Sequence, residues 1–228
     1  MDKQDWRARL MRGQWFSHLP VSLQDSLLGA ARVRHLSAGQ RLFQRGDPPC
    51  GLYAVLEGAV RVGAVSEQGK EALLGLVESP NWFGEICLFD GQPRTHDAFS
   101  VGQSTLLHLP QTVLLKMLDE QPGHWRQLAL LMSQKLRMTF INLEQLSLLP
   151  APARLAHRLL MIAEGYGQLD EPRRVLQLPQ EQLAAMLSLS RQTTNQILKD
   201  LQGQGILRLG YGEIEILDVQ RLRALVVV

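Results

Sequence analysis

Residues 40–62 read QRLFQRGDPPCGLYAVLEGAVRV, a stretch in which short apolar runs are separated by Gly and Pro. The same texture extends from about Leu36 to Leu109 and includes the runs AVRVGAV and EALLGLV. Short apolar strands separated by Gly and Pro turns at fairly regular spacing are typical of an antiparallel sandwich or barrel. The sequence therefore predicts a β-roll. The segment before it, about Asp2 to Arg34, has helical spacing interrupted by Pro20.

Apolar residues recur at helical spacing after the predicted roll, where glycines nearly vanish. This spacing predicts one long helix within 111–149. Its apolar stripe can pack on the β-domain or on the same stripe of a second copy across a two-fold axis. We favour pairing, because such a helix overhangs a compact roll. The predicted dimer interface consists of Trp125, Leu128, Met132, Leu136, Thr139, Leu143 and Leu146.

The sequence PAPA at 150–153 breaks or hinges this helix, and a second domain follows over 150–228. Residues 181–187 and 191–202 predict two helices with a tight joint, in which Ser190 is the N-cap of the second helix. Its inward face carries Ile197, Leu198 and Leu201. Residues 206–217 then predict a β-hairpin that turns at Gly210-Tyr211-Gly212, which is the wing of a winged helix-turn-helix.

The outward face of the second helix carries long hydrogen-bonding side chains of the kinds that read base edges. Arg pairs with guanine, and Asn or Gln pairs with adenine, in the major groove of DNA. A solvated helix face is the alternative, since Gln, Asn and Lys are ordinary surface residues. The outward set is Arg191, Gln192, Asn195, Gln196 and Lys199.

Composition limits the remaining function classes. The chain has 228 residues, 45% hydrophobic and 20% charged, as expected for a globular protein with a substantial core. Its net charge of +2 means that any nucleic-acid contact must come from a local patch. No signal peptide or membrane-spanning run is evident, so we expect a cytoplasmic protein. The six histidines are scattered without the spacing of metal ligands, so we predict no metal site.

Several of these segments together resemble the CRP/FNR family of bacterial transcription regulators over nearly the whole chain. The segments are the roll opening at 40–62, FGEICLFDGQPRT at 83–95, the long helix, and LSRQTTNQILKDLQGQGIL at 189–207. The resemblance implies an α+β fold with a cyclic-nucleotide-binding-type antiparallel β-roll, a long dimerisation helix and a C-terminal winged helix-turn-helix. The corresponding domains are 1–110, 111–149 and 150–228.

The resemblance also implies a phosphate-binding cassette at Gly84, Glu85, Arg94 and Thr95. In cyclic-nucleotide-binding members the glutamate takes the ribose hydroxyl, and the arginine, the hydroxyl and backbone amides take the cyclic phosphate. Thr139 falls where a threonine of the long helix reaches the base. Three alternatives stay open for this site: a cyclic nucleotide (cAMP or cGMP), another small effector such as cyclic di-GMP, or a structural Glu85–Arg94 pair without any ligand.

Other effectors known in the family require particular ligating side chains, and the sequence shows whether the chain contains them. An iron–sulfur cluster in its usual form needs four cysteine thiolates, and the chain has only Cys50 and Cys87. A haem is not favoured, since no histidine stands near Cys87 where haem-binding relatives carry one. The sequence leaves open whether Cys87 has a redox role, and an inert thiol is the simpler interpretation.

The implied function is that of a homodimeric, allosteric DNA-binding regulator. Ser190 and Thr193 match phosphate-contacting positions of the family, and a two-fold dimer predicts a palindromic duplex site. The resemblance also implies RNA polymerase as a further partner. An effector bound under the long helix would change the distance between the two recognition helices of the dimer, and the Pro150–Pro152 hinge would transmit this change. No catalytic constellation is evident, so we expect no enzyme. A regulatory module acting on another protein is the rival interpretation, but the chain shows no additional catalytic or membrane segment.

Overall fold

The computed structural model of the chain describes residues 3–65, 71–167 and 172–226. These residues form two compact units, one of Met1–Ala64 with Leu74–Arg137 and the other of Val65–Leu73 with Met138–Val228. Among the described residues, no helix combines the length and the apolar character needed to cross a membrane. Each unit buries apolar side chains of its own.

Three short helices precede the roll: α1 (Lys3–Leu10), α2 (Gln14–Ser17) and α3 (Val21–Ala30). Each buries large apolar side chains, and α3 begins directly after Pro20, whose ring favours a first-turn position over a helix interior. The predicted interruption at Pro20 is therefore confirmed as a boundary between two helices. The apolar side chains of these helices join one core cluster with strand residues of the roll.

The roll is a six-stranded antiparallel sheet. Its strands are β1 (Arg32–Leu36), β2 (Arg41–Phe43), β3 (Gly51–Val65), β4 (Glu71–Glu78), β5 (Trp82–Phe83) and β6 (Asp97–Pro110). The sheet order is β1-β6-β3-β4, with β2 paired to β6 and β5 paired to β3. Long strands β3 and β6 run side by side, with Tyr53 opposite His108 and Val60 opposite Ser100. The predicted antiparallel roll is confirmed.

The interior of the roll holds a second core cluster. It contains the buried residues Leu36, Phe43, Tyr53, Val55, Val60, Phe83, Ala98 and Leu106. The rings of Phe43, Tyr53 and Phe83 contact one another with centroids 5.5–6.2 Å apart. Aromatic pairs at such separations stabilise a core beyond their buried area. The candidate site packs against this cluster.

The segment predicted as one helix over 111–149 is two helices. Helix α5 (Gln111–Glu120) is followed by a 3-10 turn at Pro122–His124, and α6 (Trp125–Leu148) begins there. The prediction was wrong at this point because Pro122 has no N–H to donate to the preceding turn, and it is followed by Gly123. The boundary between the two compact units lies inside α6, between Arg137 and Met138.

The second unit contains α7 (Ala151–Ala163), α8 (Gln180–Leu187), α9 (Arg191–Gly203) and α10 (Val219–Ala224). A three-stranded sheet accompanies them, in the order β7-β9-β8, from β7 (Val175–Leu176), β8 (Leu207–Leu209) and β9 (Ile214–Ile216). Strands β8 and β9 pair antiparallel around the Gly210–Gly212 turn. The predicted winged helix-turn-helix is therefore present.

Candidate functional site

Gly84 and Glu85 lie where β5 ends and the short helix α4 (Ile86–Asp90) begins. Gly84 has φ +96°, a conformation that side chains rarely adopt. A Cβ at this position would lie 2.8 Å from Nη1 of Arg94 and 2.9 Å from the carbonyl oxygen of Gly51. Glycine is therefore required here, because both the backbone conformation and the approach of Arg94 exclude a larger residue.

Arg94 is buried, with 4% of its surface exposed. Its Nη1 donates to the carbonyl oxygen of Gly84 at 2.9 Å, and its Nη2 donates to that of Gly51 at 2.5 Å. Nη2 also lies 3.0 Å from the sulfur of Cys50, and the guanidinium carbon lies 4.4 Å from the centroid of the Phe43 ring. The guanidinium is thus held by carbonyl dipoles, sulfur and an aromatic face.

The positive charge of Arg94 has no carboxylate partner among the residues that the structure describes. Its ε nitrogen is buried and makes no hydrogen bond. Glu85, only 2% exposed, instead forms an ion pair with Lys135 of α6, whose Nζ lies 2.6 Å from Oε2 of Glu85. The structural Glu85–Arg94 pair, one of the three predicted alternatives, is therefore not formed. Glu85 pairs with a different cation, and Arg94 has no anionic partner within the described part of the chain.

The two cysteines flank the guanidinium of Arg94. Cys87 is buried, with its sulfur 3.8 Å from Nη1 of Arg94, and Cys50 is half-buried, with its sulfur 3.2 Å from the hydroxyl of Tyr53. Burial raises the pKa of the Cys87 thiol, and the nearby charge of Arg94 only partly opposes this. The pKa of Tyr53 is raised by burial and by its contact with Cys50. Neither group is an anion that balances Arg94 at neutral pH.

The remaining predicted effector residues are exposed. The hydroxyl of Thr95 lies 2.8 Å from Nδ1 of His96, whose pKa is lowered by burial and by Arg45. Thr139 is an exposed residue of α6 and belongs to the second compact unit. The structure thus brings Gly84 and Arg94 into contact, with Glu85 next to them in the chain, while the roles of Thr95 and Thr139 stay predictions.

Helix α9 has the cap and the two faces that the sequence predicts. The side chain of Ser190 accepts a hydrogen bond from the backbone N–H of Thr193, as an N-cap does. Ile197, Leu198 and Leu201 are buried. The exposed residues of the predicted DNA-reading set are Arg191, Gln192, Thr193, Gln196 and Lys199, and Asn195 is half-buried.

Three side chains of this outward face have partners within the second unit. Arg191 forms an ion pair with Glu181 of α8, and the amide of Asn195 donates to Oε1 of Gln180 at 2.8 Å. Gln196 donates to Asp200 one turn further along α9 at 2.9 Å. The contacts of Arg191 and Gln196 are exposed, and an exposed ion pair such as Arg191–Glu181 contributes little to stability, whereas the contact of Asn195 is partly buried.

The predicted dimer stripe on α6 divides into two parts. Leu128 is fully buried in its own chain's core, and Trp125 packs against Phe89 with ring centroids 5.3 Å apart. Leu128 is covered by the core of its own chain, whereas Trp125 is only partly buried and its place in the dimer interface stays a prediction. By contrast, Leu136, Leu143 and Leu146 are 45–58% exposed, and the exposed ring of Phe140 lies among them in sequence. Met132 is half-buried and Thr139 is exposed.

Two domain families match this chain: the cyclic nucleotide-binding domain over residues 33–121, and the Crp-like helix-turn-helix domain over residues 153–225. A CRP-like cAMP-activated global transcriptional regulator of Mycobacterium tuberculosis is 31% identical over 186 residues, covering 81% of this chain and 83% of the relative. The cyclic AMP receptor protein of Thermus thermophilus is 31% identical, covering 87% and 89%. The chain belongs to the CRP/FNR family of transcription regulators.

A solved CRP/FNR-family transcriptional regulator of Thermus thermophilus has the same fold. It superposes with a TM-score of 0.68 at 31% identity, covering 86% of this chain and 98% of that one. As a member of the CRP/FNR family, the protein is a DNA-binding transcription regulator with a cyclic-nucleotide-binding-type domain.

Sequence reasoning missed several residues that shape both sites of this CRP/FNR regulator. Lys135 holds Glu85, Glu181 holds Arg191, and Cys50 contacts Arg94. For Lys135 a signal was available, because it lies on the long helix one turn before Thr139. For Glu181 the predicted tight joint between the two helices was a signal. Nothing in the spacing of Cys50 indicated its contact with Arg94, 44 residues away.

Proposed function

We propose that this protein is a homodimeric regulator whose affinity for a palindromic DNA site is controlled by a cyclic nucleotide bound in the roll. The observation that carries the proposal is the buried guanidinium of Arg94, which has no carboxylate partner among the described residues. Removing a charge from water is unfavourable unless an opposite charge compensates it. A ligand with one negative charge supplies that compensation.

The chemistry of Arg94 favours a phosphate as this ligand. A guanidinium presents several N–H donors in one plane and binds phosphate oxygens in a bidentate manner. The neighbouring carboxylate of Glu85 is a hydrogen-bond acceptor, which suits a sugar hydroxyl. Cyclic mononucleotides carry both groups within one small molecule. The printed names of two relatives, a cAMP-activated regulator and a cyclic AMP receptor protein, support cAMP as the first ligand to test.

The Lys135–Glu85 ion pair offers a route from the effector to the DNA-binding unit. Glu85 belongs to the roll, while Lys135 lies on α6, which continues to Leu148 and is followed by α7 at Ala151. A ribose hydroxyl that takes over the carboxylate of Glu85 competes with Lys135. Binding therefore changes how α6 is attached to the roll near Thr139, and the change passes through the Pro150–Pro152 segment to α9.

Dimerisation is supported by the second half of α6. Leu136, Phe140 and Leu143 follow one another at steps of four and three residues and are 53–62% exposed. Apolar residues at this spacing form the interface between two paired helices. A two-fold axis between the protomers would then let each copy of α9 contact one of two adjacent DNA half-sites. We further expect RNA polymerase as a partner and a cytoplasmic location.

The test is DNA binding measured with and without effector. An operator is first selected from random duplexes with the full-length protein, and its affinity is then measured by fluorescence anisotropy with cAMP, cGMP or cyclic di-GMP. We expect one cyclic mononucleotide to raise the affinity for the selected palindrome. Equal affinity in all conditions would indicate a regulator that acts without an effector. Selection of no common sequence would contradict the specific DNA-reading role.

A further inference from the structure

His108 lies near the end of β6, two residues before Pro110, and has no role in the function proposed above. Its side chain is half-buried, and its Nε2 lies 2.7 Å from the carbonyl oxygen of Cys50. A carbonyl oxygen only accepts hydrogen bonds, so Nε2 carries a proton and donates it to Cys50. The side chain of β6 thus holds the backbone at the start of β3.

The ring of His108 is fixed by the aromatic residue opposite it. Tyr53 of β3 is its partner in the strand register, and the two rings stack with centroids 4.5 Å apart and an interplanar angle of 12°. Burial lowers the pKa of His108 most, and the charge of Arg34 adds to this, while the hydrogen bond to Cys50 opposes it. The imidazole is therefore mainly neutral at pH 7, and its one N–H is the one directed at Cys50.

The backbone that His108 contacts is the same backbone that holds Arg94. Nη2 of Arg94 donates to the carbonyl oxygen of Gly51 at 2.5 Å and lies 3.0 Å from the sulfur of Cys50. Gly51 has φ +111°, and a Cβ there would lie 1.9 Å from the carbonyl oxygen of Leu109. The Cys50–Gly51 segment is thus pressed against the end of β6, and the hydrogen bond from His108 fixes the carbonyl next to the one that Arg94 uses.

We propose that His108 is a positioning residue for the site around Arg94: its N–H holds the Cys50–Gly51 segment so that the Gly51 carbonyl orients the guanidinium before a ligand arrives. The inference rests on the proposed function, because the ligand in question is the cyclic nucleotide. A group that is already ordered in its binding orientation loses less conformational freedom on binding, and its affinity is higher. Loss of the His108 donor frees the segment and leaves the Cys50 carbonyl without this partner.

Two substitutions of His108 separate its hydrogen bond from its ring. His108→Phe keeps a ring to stack on Tyr53 but has no donor, whereas His108→Gln keeps an N–H donor of similar reach but has no ring. By calorimetry we expect cAMP to bind about tenfold more weakly to His108→Phe, and His108→Gln to restore most of this loss. His18→Phe, at an exposed histidine that also contacts a backbone carbonyl, is the matched control and should bind like the wild type. Wild-type affinity in His108→Phe, with weaker binding in His108→Gln, would show that only the ring matters and would overturn the proposal.

A second measurement needs no nucleotide. In the effector-free protein, the ¹⁵N–¹H signal of Arg94 Nε, assigned with Arg94→Gln, should be sharp in the wild type and in His108→Gln but shifted or broadened in His108→Phe. An unchanged signal in His108→Phe would contradict the positioning role. If no cyclic nucleotide binds the wild type, the proposed function fails, while this signal still tests the role of His108.

A third measurement requires only the wild type and remains decisive if a variant does not fold. Long-range ¹H–¹⁵N NMR of the histidine rings distinguishes the two neutral tautomers of His108. We expect the proton on Nε2, where the hydrogen bond to Cys50 requires it. A neutral His108 with its proton on Nδ1 would exclude the hydrogen bond and overturn the proposal.

Discussion

At the residue scale, Gly84 and Arg94 depend on each other. The backbone of Gly84 adopts φ +96° and accepts a hydrogen bond from Arg94, and no side chain fits between them. The site therefore consists of a specific backbone conformation as much as of a charged side chain. This is why the pair Gly84-Glu85 in the sequence predicts the site better than Glu85 alone would.

Gly84→Ala should destabilise the roll through both strain and a clash. We expect the free energy of unfolding to fall by about 3 kcal/mol, because a positive φ and a displaced Arg94 both contribute. The matched control is Gly91→Ala, at φ +64° with open space around its Cβ position, for which we expect about 1 kcal/mol. Urea unfolding of the two variants provides the comparison. Equal losses would show that the close approach of Arg94 has no energetic consequence.

The two cysteines should differ in reactivity towards iodoacetamide. The pKa of Cys87 is raised by burial, so its reactive thiolate is scarcer at neutral pH than in an ordinary cysteine, and its modification should become faster only as the pH rises. Cys50 is half-buried and lies next to Arg94, so it should react first, and a bound cyclic nucleotide should protect it. Mass spectrometry after brief alkylation between pH 7 and 9 locates the modification. Faster labelling of Cys87 would contradict this assignment.

At the scale of elements, α6 serves two different purposes along its length. Its first turns complete the core of the roll, while its later turns leave apolar side chains exposed. A regular apolar spacing predicts that a helix has a buried face, but it does not show what covers that face. For that reason the predicted stripe includes Leu128, which the core of its own chain covers, while the partner of the exposed part of the stripe stays a prediction.

Leu143→Glu should dissociate the proposed dimer without unfolding the chain. The side chain is 58% exposed in a single copy, so a charge is tolerated there but would be buried in a paired seam. Leu128→Ala is the contrasting variant and should cost about 3–5 kcal/mol of stability by leaving a cavity, with the dimer retained under native conditions. Sedimentation velocity and urea unfolding measure these effects. A wild-type protein that sediments as a monomer would remove the dimer from the account.

On α9, Arg191 and Lys199 should contribute differently to DNA binding. Arg191→Ala should lose about 1–3 kcal/mol of discrimination at one base pair of the selected operator, since Arg reads guanine by paired hydrogen bonds. Lys199→Ala should weaken binding to all sequences alike and lower the salt slope by about one. Anisotropy titrations at several salt concentrations, on the operator and on single-base variants, separate the two effects. Identical profiles for the two variants would argue against base reading by Arg191.

At the scale of the whole molecule, the sequence predicted a cyclic-nucleotide-binding-type roll followed by a helix-turn-helix, and both are confirmed, while the effector role of the cassette residues stays a prediction. The sequence did not predict the ion pairs. The Gly-Glu and Arg-Thr pairs are local patterns, whereas the Glu85–Lys135 contact joins residues 50 positions apart and depends on how α6 lies against the roll. Likewise, the break at Pro122–His124 was missed because the apolar spacing from Trp125 onward was extended back to residue 111.

The coupling between effector and DNA should depend on Lys135. In Lys135→Met the buried carboxylate of Glu85 loses its partner, which should cost about 1–3 kcal/mol of stability. We expect cAMP still to bind through Arg94, while the ratio of DNA affinities with and without cAMP falls towards one. Lys116→Met, which removes an exposed lysine paired with Glu120, is the control. An unchanged ratio in Lys135→Met would rule out the Lys135–Glu85 pair as the route of coupling.

The central claim, that the uncompensated charge of Arg94 receives a cyclic phosphate, is tested most directly by isothermal titration calorimetry. Wild-type protein is titrated with cAMP, cGMP and cyclic di-GMP, and the titrations are repeated on Arg94→Gln and on Arg41→Gln, a control at an exposed arginine of the roll. We expect saturable heat with cAMP or cGMP that disappears in Arg94→Gln and persists in Arg41→Gln. No heat with any nucleotide in the wild type, or binding that survives in Arg94→Gln, would contradict it.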